Sequence, residues 1–327
     1  MLDYSELIEK SRAYEIVKKD IAVNRCSHAY LFVSADRNYL SQFSEKFVCD
    51  LMLNGGADEF NTISRIHKKV HPDVMFFGED EKLVVEVARQ IIESSSVSPF
   101  EADKKVYVIS HAEDMNESVQ NAILKTIEEP PKNTIFVFNA TSINRLLPTL
   151  LSRVKRVDLD ELQVDDLIKL LTNSGTEFVN AEVCANLSNG NGLFAEKLAK
   201  EKGFLDFFEN VVACVGQING SKDVLNFSNK FTAKNVDKNE FLDILLLIFR
   251  DLNLILAGKE ECVNLKNILP KLKLIATTLS LAGVTILTDE CNKLKKELYA
   301  NANEVIVVDS ILFKLAEVKV KCKRSLL

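Results

Sequence analysis

The sequence predicts an α/β domain built on a mainly parallel sheet, followed by a C-terminal half that consists of α-helices alone. Short apolar runs alternate with amphipathic helical patterns in the first 159 residues. Most of these runs are apolar along nearly their whole length, which is typical of parallel strands covered by helices on both faces. Beyond about residue 209, long apolar stretches follow one another and no strand-like alternation competes with them.

The predicted strands of the first domain are short, and helical patterns separate the first four of them. Asp114 and Glu117 predict the start of the last of these helices, and Pro130 and Pro131 predict its end, because a residue before proline is disfavoured in the helical region. The strand candidates are Ser27–Val33, Val74–Phe77, Val106–Ile109, Thr134–Asn139 and Val154–Leu159. The helix candidates are Ala13–Ala22, Leu40–Leu53, Val85–Ser94 and Met115–Glu129.

Three domains are predicted, because 327 residues exceed the usual size of one compact core and the pattern changes along the chain. They are residues 1–159 with the predicted sheet, residues 160–207 as a small helical domain, and residues 208–327 as a helical bundle. The helices predicted for the last two domains are Val164–Leu171, Ala181–Leu187, Phe241–Ala257, Leu272–Leu281 and Val305–Val318.

Composition and charge indicate a globular protein that does not bind DNA by itself. Hydrophobic residues make up 47% of the chain, and the net charge of −6 is not that of an autonomous DNA-binding protein. The seven cysteines include no CxxC pair, so we expect reduced thiols and no zinc or redox site. No basic-then-apolar signal segment begins the chain, and Arg250 and Asp251 interrupt its most apolar window. The sequence therefore predicts a cytoplasmic protein with no membrane span.

A phosphate-binding loop is missing from the place where such a sheet would carry one. This loop needs glycines whose backbone amides turn inward, a lysine for the β- and γ-phosphates, and a Ser or Thr for magnesium. The segment after the first strand, Ser34–Leu40, contains neither glycine nor lysine, and Asp36 would repel phosphate. We therefore expect this chain to bind no nucleotide cofactor and no metal.

Other candidate catalytic or metal-binding residues also lack the further residues that such a site requires. Ser110 and His111 stand where a magnesium-binding acidic pair would follow the third strand. No nucleophile motif accompanies His111, so we expect a structural or exposed imidazole rather than a general base. His67 and His71 lie four residues apart, but Pro72 ends the run and no third zinc ligand is evident.

An arginine stands at the entrance to the last predicted strand. Ser152 and Arg153 follow the segment Leu147–Leu151. An arginine in such a place is ordinarily a solvated or salt-bridged side chain. A guanidinium group is nevertheless permanently charged and can hold phosphate oxygens through two parallel hydrogen bonds. It can therefore stabilise charge that develops on a γ-phosphate when it is supplied from another subunit.

These features occur together in one protein family. The segments concerned are Ser27–Phe32, His71–Asp73, Ser98–Phe100, Lys105–Ile109, Asn121–Pro131 and Leu147–Arg153. In order and spacing they resemble the delta-prime subunits of the bacterial DNA polymerase III clamp loader, with weaker similarity at Phe241–Gly258 and Asn301–Asn303. The resemblance implies an AAA+ type parallel-sheet domain, a small helical lid domain and a C-terminal helical collar domain that serves oligomerisation.

The family resemblance also implies a role in DNA replication, as a non-hydrolysing subunit of a hetero-oligomer that loads the sliding clamp onto primed DNA. Arg153 would be an arginine finger that acts in trans on the ATP of a neighbouring subunit, and Ser152 would support it. The implied partners are the gamma/tau and delta subunits, the sliding clamp and primer–template DNA. The chain would have no enzymatic activity of its own, although it would belong to the DNA polymerase III holoenzyme.

The sequence departs from the family pattern at three places. Many members carry a four-cysteine zinc module in a region where this chain has Cys49 alone between Tyr30 and Pro72. Val154 replaces the cysteine of a Ser-Arg-Cys motif, and Leu193 stands near the position of an ATP-sensing arginine. The loss of that arginine agrees with the missing phosphate loop.

Two other functions compete with the delta-prime interpretation. One is a gamma-type clamp-loader ATPase with an unorthodox nucleotide site, and the composition of Ser34–Leu40 argues against it. The other is a delta-type clamp-opening subunit, which is purely a binding module. That family is less similar to this chain at Glu128–Pro131 and at Ser152 and Arg153.

Overall fold

The computed structural model describes residues 1–53, 59–79, 81–234 and 236–325. The chain divides into two compact units. The sheet unit comprises Met1–Gln163 and Gly190–Phe194, and the helical unit comprises Val164–Asn189 and Ala195–Leu327. The division into three domains, with ends at residues 159 and 207, stays a prediction.

Within the residues that the structure describes, the sheet unit contains five strands whose hydrogen-bonded neighbours all run parallel. They are β1 (Ala29–Val33), β2 (Val74–Phe77), β3 (Lys105–Ile109), β4 (Thr134–Ala140) and β5 (Lys155–Asp158). Their order across the sheet is β2-β3-β4-β1-β5. The predicted fold class, a parallel sheet followed by helices, is confirmed. The edge strand β5 is more polar than expected, since Val157 is the residue that it buries.

Helices precede or connect the strands of the sheet unit. They are α1 (Ser5–Lys10), α2 (Arg12–Ala22), α3 (Arg37–Leu53), α4 (Glu59–His67), α5 (Val85–Ser95), α6 (Glu117–Glu128) and α7 (Pro148–Leu151). Tyr30 and Phe32 of β1 pack against Phe47 and Phe43 of α3, with ring centroids 5.0 and 4.8 Å apart. Leu31, which lies between them in sequence, belongs to the core on the opposite face together with residues of α5 and α6. Both faces of the sheet are therefore covered, as its apolar strands predict.

A buried carboxylate organises the loop that leads into β3. Asp73 accepts the backbone N–H groups of Phe100 (2.6 Å), Glu101 (2.9 Å) and Ala102 (2.9 Å). Burial works to raise the pKa of Asp73, but these backbone hydrogen bonds outweigh it and hold the pKa below its ordinary value. The ring of His71, whose pKa burial lowers, accepts the N–H of Asp73 through Nδ1. Two of the family's sequence segments, around Asp73 and Phe100, thus form one structural feature.

The start of α6 differs from the prediction. Ala112–Asp114 form a separate 3-10 turn, and Asn116 rather than Asp114 caps the helix by accepting the N–H of Val119. Asp114 instead lies near the guanidinium of Arg145. The end of α6 at Glu128 agrees with the predicted effect of the two prolines.

The remaining helices lie in the helical unit. They are α8 (Val164–Asn173), α9 (Phe178–Leu187), α10 (Gly192–Lys200), α11 (Phe204–Gln217), α12 (Ser221–Phe231), α13 (Lys238–Leu256), α14 (Leu269–Ala276), α15 (Leu281–Tyr299) and α16 (Glu304–Ser325). The first three residues of α10 belong to the sheet unit, and the helical unit takes it up at Ala195. Within the described ranges no single helix is long and apolar enough to cross a membrane. The pair Lys266–Ala276 and Leu281–Tyr299 meets that test only jointly, with a bend of 114°.

Helix α13 lies at the centre of the helical unit, where it packs against α9, α11, α14 and α15. Most of its apolar side chains are buried, so the predicted helix at Phe241–Ala257 is confirmed. Asp251 is fully buried on this helix and accepts the N–H groups of Asn264 (3.1 Å) and Leu265 (2.8 Å). The buried carboxyl group of Asp251 thereby satisfies two backbone N–H groups of a nearby turn.

The prediction of one helix over Leu272–Leu281 is wrong, because hydroxyl side chains interrupt it. Thr277 and Thr278 donate their hydroxyl groups to carbonyl oxygens of the preceding turn, which closes α14. Ser280 then accepts the N–H of Gly283 and begins α15. Such side-chain bonds compete with the helical backbone pattern.

Candidate functional site

The two ends of the parallel sheet carry different polar side chains. At the carboxyl ends of the strands, Asp36 follows β1, His111 follows β3 and Thr141 follows β4. At the amino ends, His28 precedes β1 and Arg153 lies two residues before β5. Because the strands are parallel, the two groups lie at opposite edges, which we call the carboxyl edge and the amino edge. Ligands of open parallel sheets ordinarily bind at the carboxyl edge.

At the carboxyl edge, Asp36 occupies the start of α3, where a phosphate loop would bind its anion. Its Oδ1 accepts the backbone N–H groups of Asn38 (2.9 Å) and Tyr39 (3.0 Å), and its side chain is 1% exposed. Such N–H groups, together with the positive end of the helix dipole, are what bind phosphate in nucleotide-binding proteins. A phosphate at this position would have to displace a buried carboxylate that already satisfies them.

The second oxygen of Asp36 holds two further parts of the sheet unit. Its Oδ2 accepts the hydroxyl of Tyr4 (2.9 Å) and the N–H of Leu193 (3.0 Å). A Cβ on Gly192 would lie 2.4 Å from the Tyr4 hydroxyl oxygen, so only glycine fits beside this bond. The segment 190–194 is thereby fastened to the start of α3. Leu193, near the position of an ATP-sensing arginine in the family, contributes a backbone donor and no positive charge.

A cavity of about 250 Å³ remains beside this cluster. Its lining includes Arg37, Ser110, His111, Asn139 and Leu193. Its volume lies below the range of about 300–1,000 Å³ that is usual for small-molecule sites. His111 lines it with a left-handed backbone (φ 55°), and the sequence around His111 contains no recognisable nucleophile motif.

Glu113, whose partners Arg37 and Thr141 line this cavity, contacts both of them. Glu113 is 6% exposed, and its Oε1 accepts the hydroxyl of Thr141 (2.5 Å) and lies 3.7 Å from the guanidinium of Arg37. Its Oε2 is buried with no hydrogen-bond partner in the described part of the chain. The same part of the chain contains no group of three or more His, Cys, Asp or Glu that could hold a metal.

At the amino edge, Arg153 lies in the turn between α7 and β5 with its side chain 35% exposed. Its Nη1 donates to the carbonyl oxygen of Thr149 (2.8 Å) and to the hydroxyl oxygen of Ser152 (3.0 Å). Ser152 in turn donates its hydroxyl to the same carbonyl oxygen (3.0 Å). The guanidinium therefore has a fixed position beside an open cavity of about 520 Å³. Its lining residues are His28, Ile127, Glu128, Ser152 and Arg153.

Glu128, the last residue of α6, is the counter-ion of this arginine. Its Oε1 lies 2.6 Å from Nη2 of Arg153, and its side chain is 45% exposed. An ion pair as exposed as this is worth about 0–1 kcal/mol. Sequence reasoning treated Glu128 only as part of a helix end and missed this contact.

A buried glutamine anchors the backbone that leads to Arg153. Gln120 of α6 is 1% exposed and donates to the carbonyl oxygens of Met115 and Arg145, at 2.9 Å each. Its Oε1 accepts the N–H of Leu147 (2.7 Å), the residue that precedes α7. The sequence signal for this role is a polar residue at a helix position whose neighbours Val119 and Ile123 are core residues, and it was missed.

The length of the sheet separates the two edges. β1 runs from the amino edge to the carboxyl edge through five residues, which corresponds to about 16 Å. An extended arginine side chain is less than half that long. Arg153 therefore cannot reach the phosphate position at Asp36 of its own chain.

Comparisons with known proteins find similarity to DNA polymerase III subunits. The family model described as DNA polymerase III, delta subunit, matches residues 9–163. The DNA polymerase III subunit delta' of Bacillus subtilis is 26% identical over 330 residues, which cover 97% of this chain and 99% of that protein. These two matches support the resemblance of this chain to the delta-prime family of clamp-loader subunits.

Members of related families are similar over shorter ranges or at lower identity. The DNA polymerase III subunit gamma of Buchnera aphidicola is 32% identical over 106 residues, which cover 32% of this chain and 29% of the gamma subunit. The crystal structure of a gamma subunit-related protein from Thermotoga maritima matches over 93% of this chain and 99% of its own, with 17% identity and a TM-score of 0.40.

We predict that Asp36→Ala destabilises this chain by about 2–4 kcal/mol. The substitution leaves buried N–H and hydroxyl donors without an acceptor, and each such loss costs about 1–3 kcal/mol. Tyr4→Phe removes one of these hydrogen bonds and should cost about 1 kcal/mol. Denaturant unfolding, followed by tyrosine fluorescence and circular dichroism, measures both. Equal and small losses in the two variants would show that Asp36 does not organise this edge.

Proposed function

We propose that this chain is a cytoplasmic, non-hydrolysing subunit of the replicative DNA polymerase III clamp loader, and that it supplies Arg153 in trans to ATP bound by a neighbouring subunit. The observation that carries the proposal is the difference between the two edges of its sheet. Asp36 fills the phosphate position at the carboxyl edge, whereas Arg153 stands beside an open cavity at the amino edge.

The chemistry of Arg153 suits a phosphoryl-transfer transition state. Negative charge accumulates on the phosphate oxygens as the γ-phosphate is transferred, and a guanidinium that is already in position stabilises that charge. Thr149 and Ser152 hold Nη1 of Arg153, so the side chain is oriented before a ligand arrives. Ser152 is therefore proposed as a positioning residue and Arg153 as the residue that touches the phosphate.

The helical unit is proposed to join this subunit to gamma/tau and delta subunits, with its C-terminal part, residues 208–327, as the collar. Large apolar side chains are exposed on it: Leu274 on α14 (73%), Tyr299 at the end of α15 (73%) and Ile306 on α16 (64%). Exposed apolar residues of this kind are suited to a protein interface. The sliding clamp and primer–template DNA would be partners of the whole assembly.

We predict that the purified chain neither binds nor hydrolyses ATP. The first-turn N–H groups of α3 are occupied by Asp36, and no lysine is present in Ser34–Leu40. Isothermal titration calorimetry with Mg-ATP should give no heat of binding at protein concentrations up to about 100 µM, equivalent to a Kd weaker than about 1 mM. Saturable binding would instead support a gamma-type ATPase.

The central prediction concerns Arg153. In a reconstituted clamp loader, Arg153→Ala should leave assembly intact but lower clamp- and DNA-stimulated ATP hydrolysis at the neighbouring site by at least about tenfold, because arginine fingers elsewhere contribute roughly 10³ or more at their own site. Arg153→Lys should restore little, since an ammonium group lacks the planar fork.

Arg156 offers a matched control for this experiment. It is a similarly exposed arginine three residues away, and its guanidinium binds the carboxylate of Asp158 (2.6 and 2.8 Å). A clamp loader that contains Arg156→Ala should hydrolyse ATP and load clamps at the wild-type rate. If Arg153→Ala does the same, Arg153 is an ordinary surface residue and the proposed function reduces to a scaffold.

Assembly should depend on the exposed apolar residues of the helical unit. The double substitution Leu274→Glu and Ile306→Glu should weaken copurification with gamma and delta subunits by at least about tenfold, or about 1.4 kcal/mol, because it places two charges in the proposed interface. Phe60→Glu is the control, since Phe60 is 85% exposed on α4 of the sheet unit. Normal copurification of the double variant would place the collar surface elsewhere.

A further inference from the structure

The contacts of Arg153 divide its guanidinium into two parts. Nη1 donates to Thr149 and Ser152, which belong to the same short segment and are uncharged. Nη2 is held by Glu128, which belongs to a different helix and is negatively charged. The part of the guanidinium that faces Glu128 is thus already paired with an anion when this chain is by itself.

Glu128 is not placed where it would stabilise its own helix. It is the last residue of α6, and a carboxylate at the C-terminal end of a helix interacts unfavourably with the helix dipole. Glu129, which follows it, adds a second negative charge at the same end. The favourable partner for the charge of Glu128 is therefore Arg153, at 2.6 Å.

A phosphate that approaches Arg153 competes with this carboxylate. Both ligands are anions that the planar guanidinium binds through its N–H groups, and phosphate carries more oxygen acceptors and more charge. Because the side chains of Arg153 and Glu128 are 35% and 45% exposed, water can solvate the carboxylate after it is displaced. The existing ion pair is therefore weak enough for a phosphate to replace.

We propose that Glu128 is an internal counter-ion that occupies Nη2 of Arg153 until the phosphate of a neighbouring subunit's nucleotide displaces it. This inference rests on the proposed function of Arg153 as a finger in trans. Glu128 acts through Arg153 and does not itself touch the phosphate. Its carboxylate raises the concentration of ATP at which the finger engages, and it leaves the maximal rate unchanged once the phosphate has displaced it.

The test is the isosteric substitution Glu128→Gln in the reconstituted clamp loader with clamp and primed DNA. Removal of the charge should lower the apparent KM for ATP by about two- to five-fold, the range that corresponds to an exposed ion pair of up to about 1 kcal/mol. The kcat should stay at the wild-type value. Glu128→Asp keeps the charge and should keep the wild-type KM.

Glu129→Gln is the matched control, because it removes the same charge one residue away from the ion pair. It should leave KM and kcat unchanged. In the double variant Glu128→Gln with Arg153→Ala, the effect of Glu128→Gln on KM should vanish, because Glu128 acts only through the guanidinium. A purely structural role for Glu128 would not produce this dependence.

Three other outcomes would each contradict either the counter-ion inference or the proposed function. If Glu128→Gln lowers kcat, Glu128 orients the finger rather than competing with phosphate, and the counter-ion inference is wrong. If its KM equals that of Glu129→Gln, the ion pair does not compete at all and the inference is also wrong. If Arg153→Ala itself has wild-type kinetics in this assay, the proposed function fails first.

Discussion

A parallel sheet places the beginning and the end of every strand at opposite edges, and the role proposed for Arg153 depends on that constraint. The segment that would bind a phosphate follows β1, whereas Arg153 precedes β5. About 16 Å of extended backbone separates the two edges. The role proposed for Arg153 therefore requires a nucleotide that another molecule brings to the amino edge. That role does not depend on a phosphate site in this chain.

Carboxylates that bind backbone N–H groups recur throughout the structure. Asp36 begins α3, Asp73 shapes the loop before β3, and Asp251 holds a turn beside α13. Glu182 of α9 similarly accepts the N–H groups of residues 266 and 267. Each of these acids is buried, and each satisfies donors that would otherwise be unpaired. At the start of α3, Asp36 accepts the N–H groups that bind phosphate in nucleotide-binding proteins.

Local patterns predicted much of this molecule, and contacts between distant residues account for what they missed. Apolar runs and prolines were sufficient for the parallel sheet, and a short motif placed Arg153 before β5. The same reasoning treated Asp36 as a repulsive charge and missed that it binds Tyr4 and Leu193, which lie 32 and 157 positions away. It also continued a helix through Leu272–Leu281, because apolar spacing persists there while threonine hydroxyls end the backbone pattern.

The claim that Arg153 acts in trans can be tested with clamp loaders in which a single ATP site is active. Two complexes would be reconstituted, one with the working site in the ATPase subunit adjacent to this chain and one with it in a remote subunit. Single-turnover hydrolysis by rapid quench would then compare wild-type and Arg153→Ala chains in each complex. The account predicts a loss of at least about tenfold at the adjacent site and wild-type hydrolysis at the remote site. Equal rates at the adjacent site, or equal losses at both sites, would contradict it.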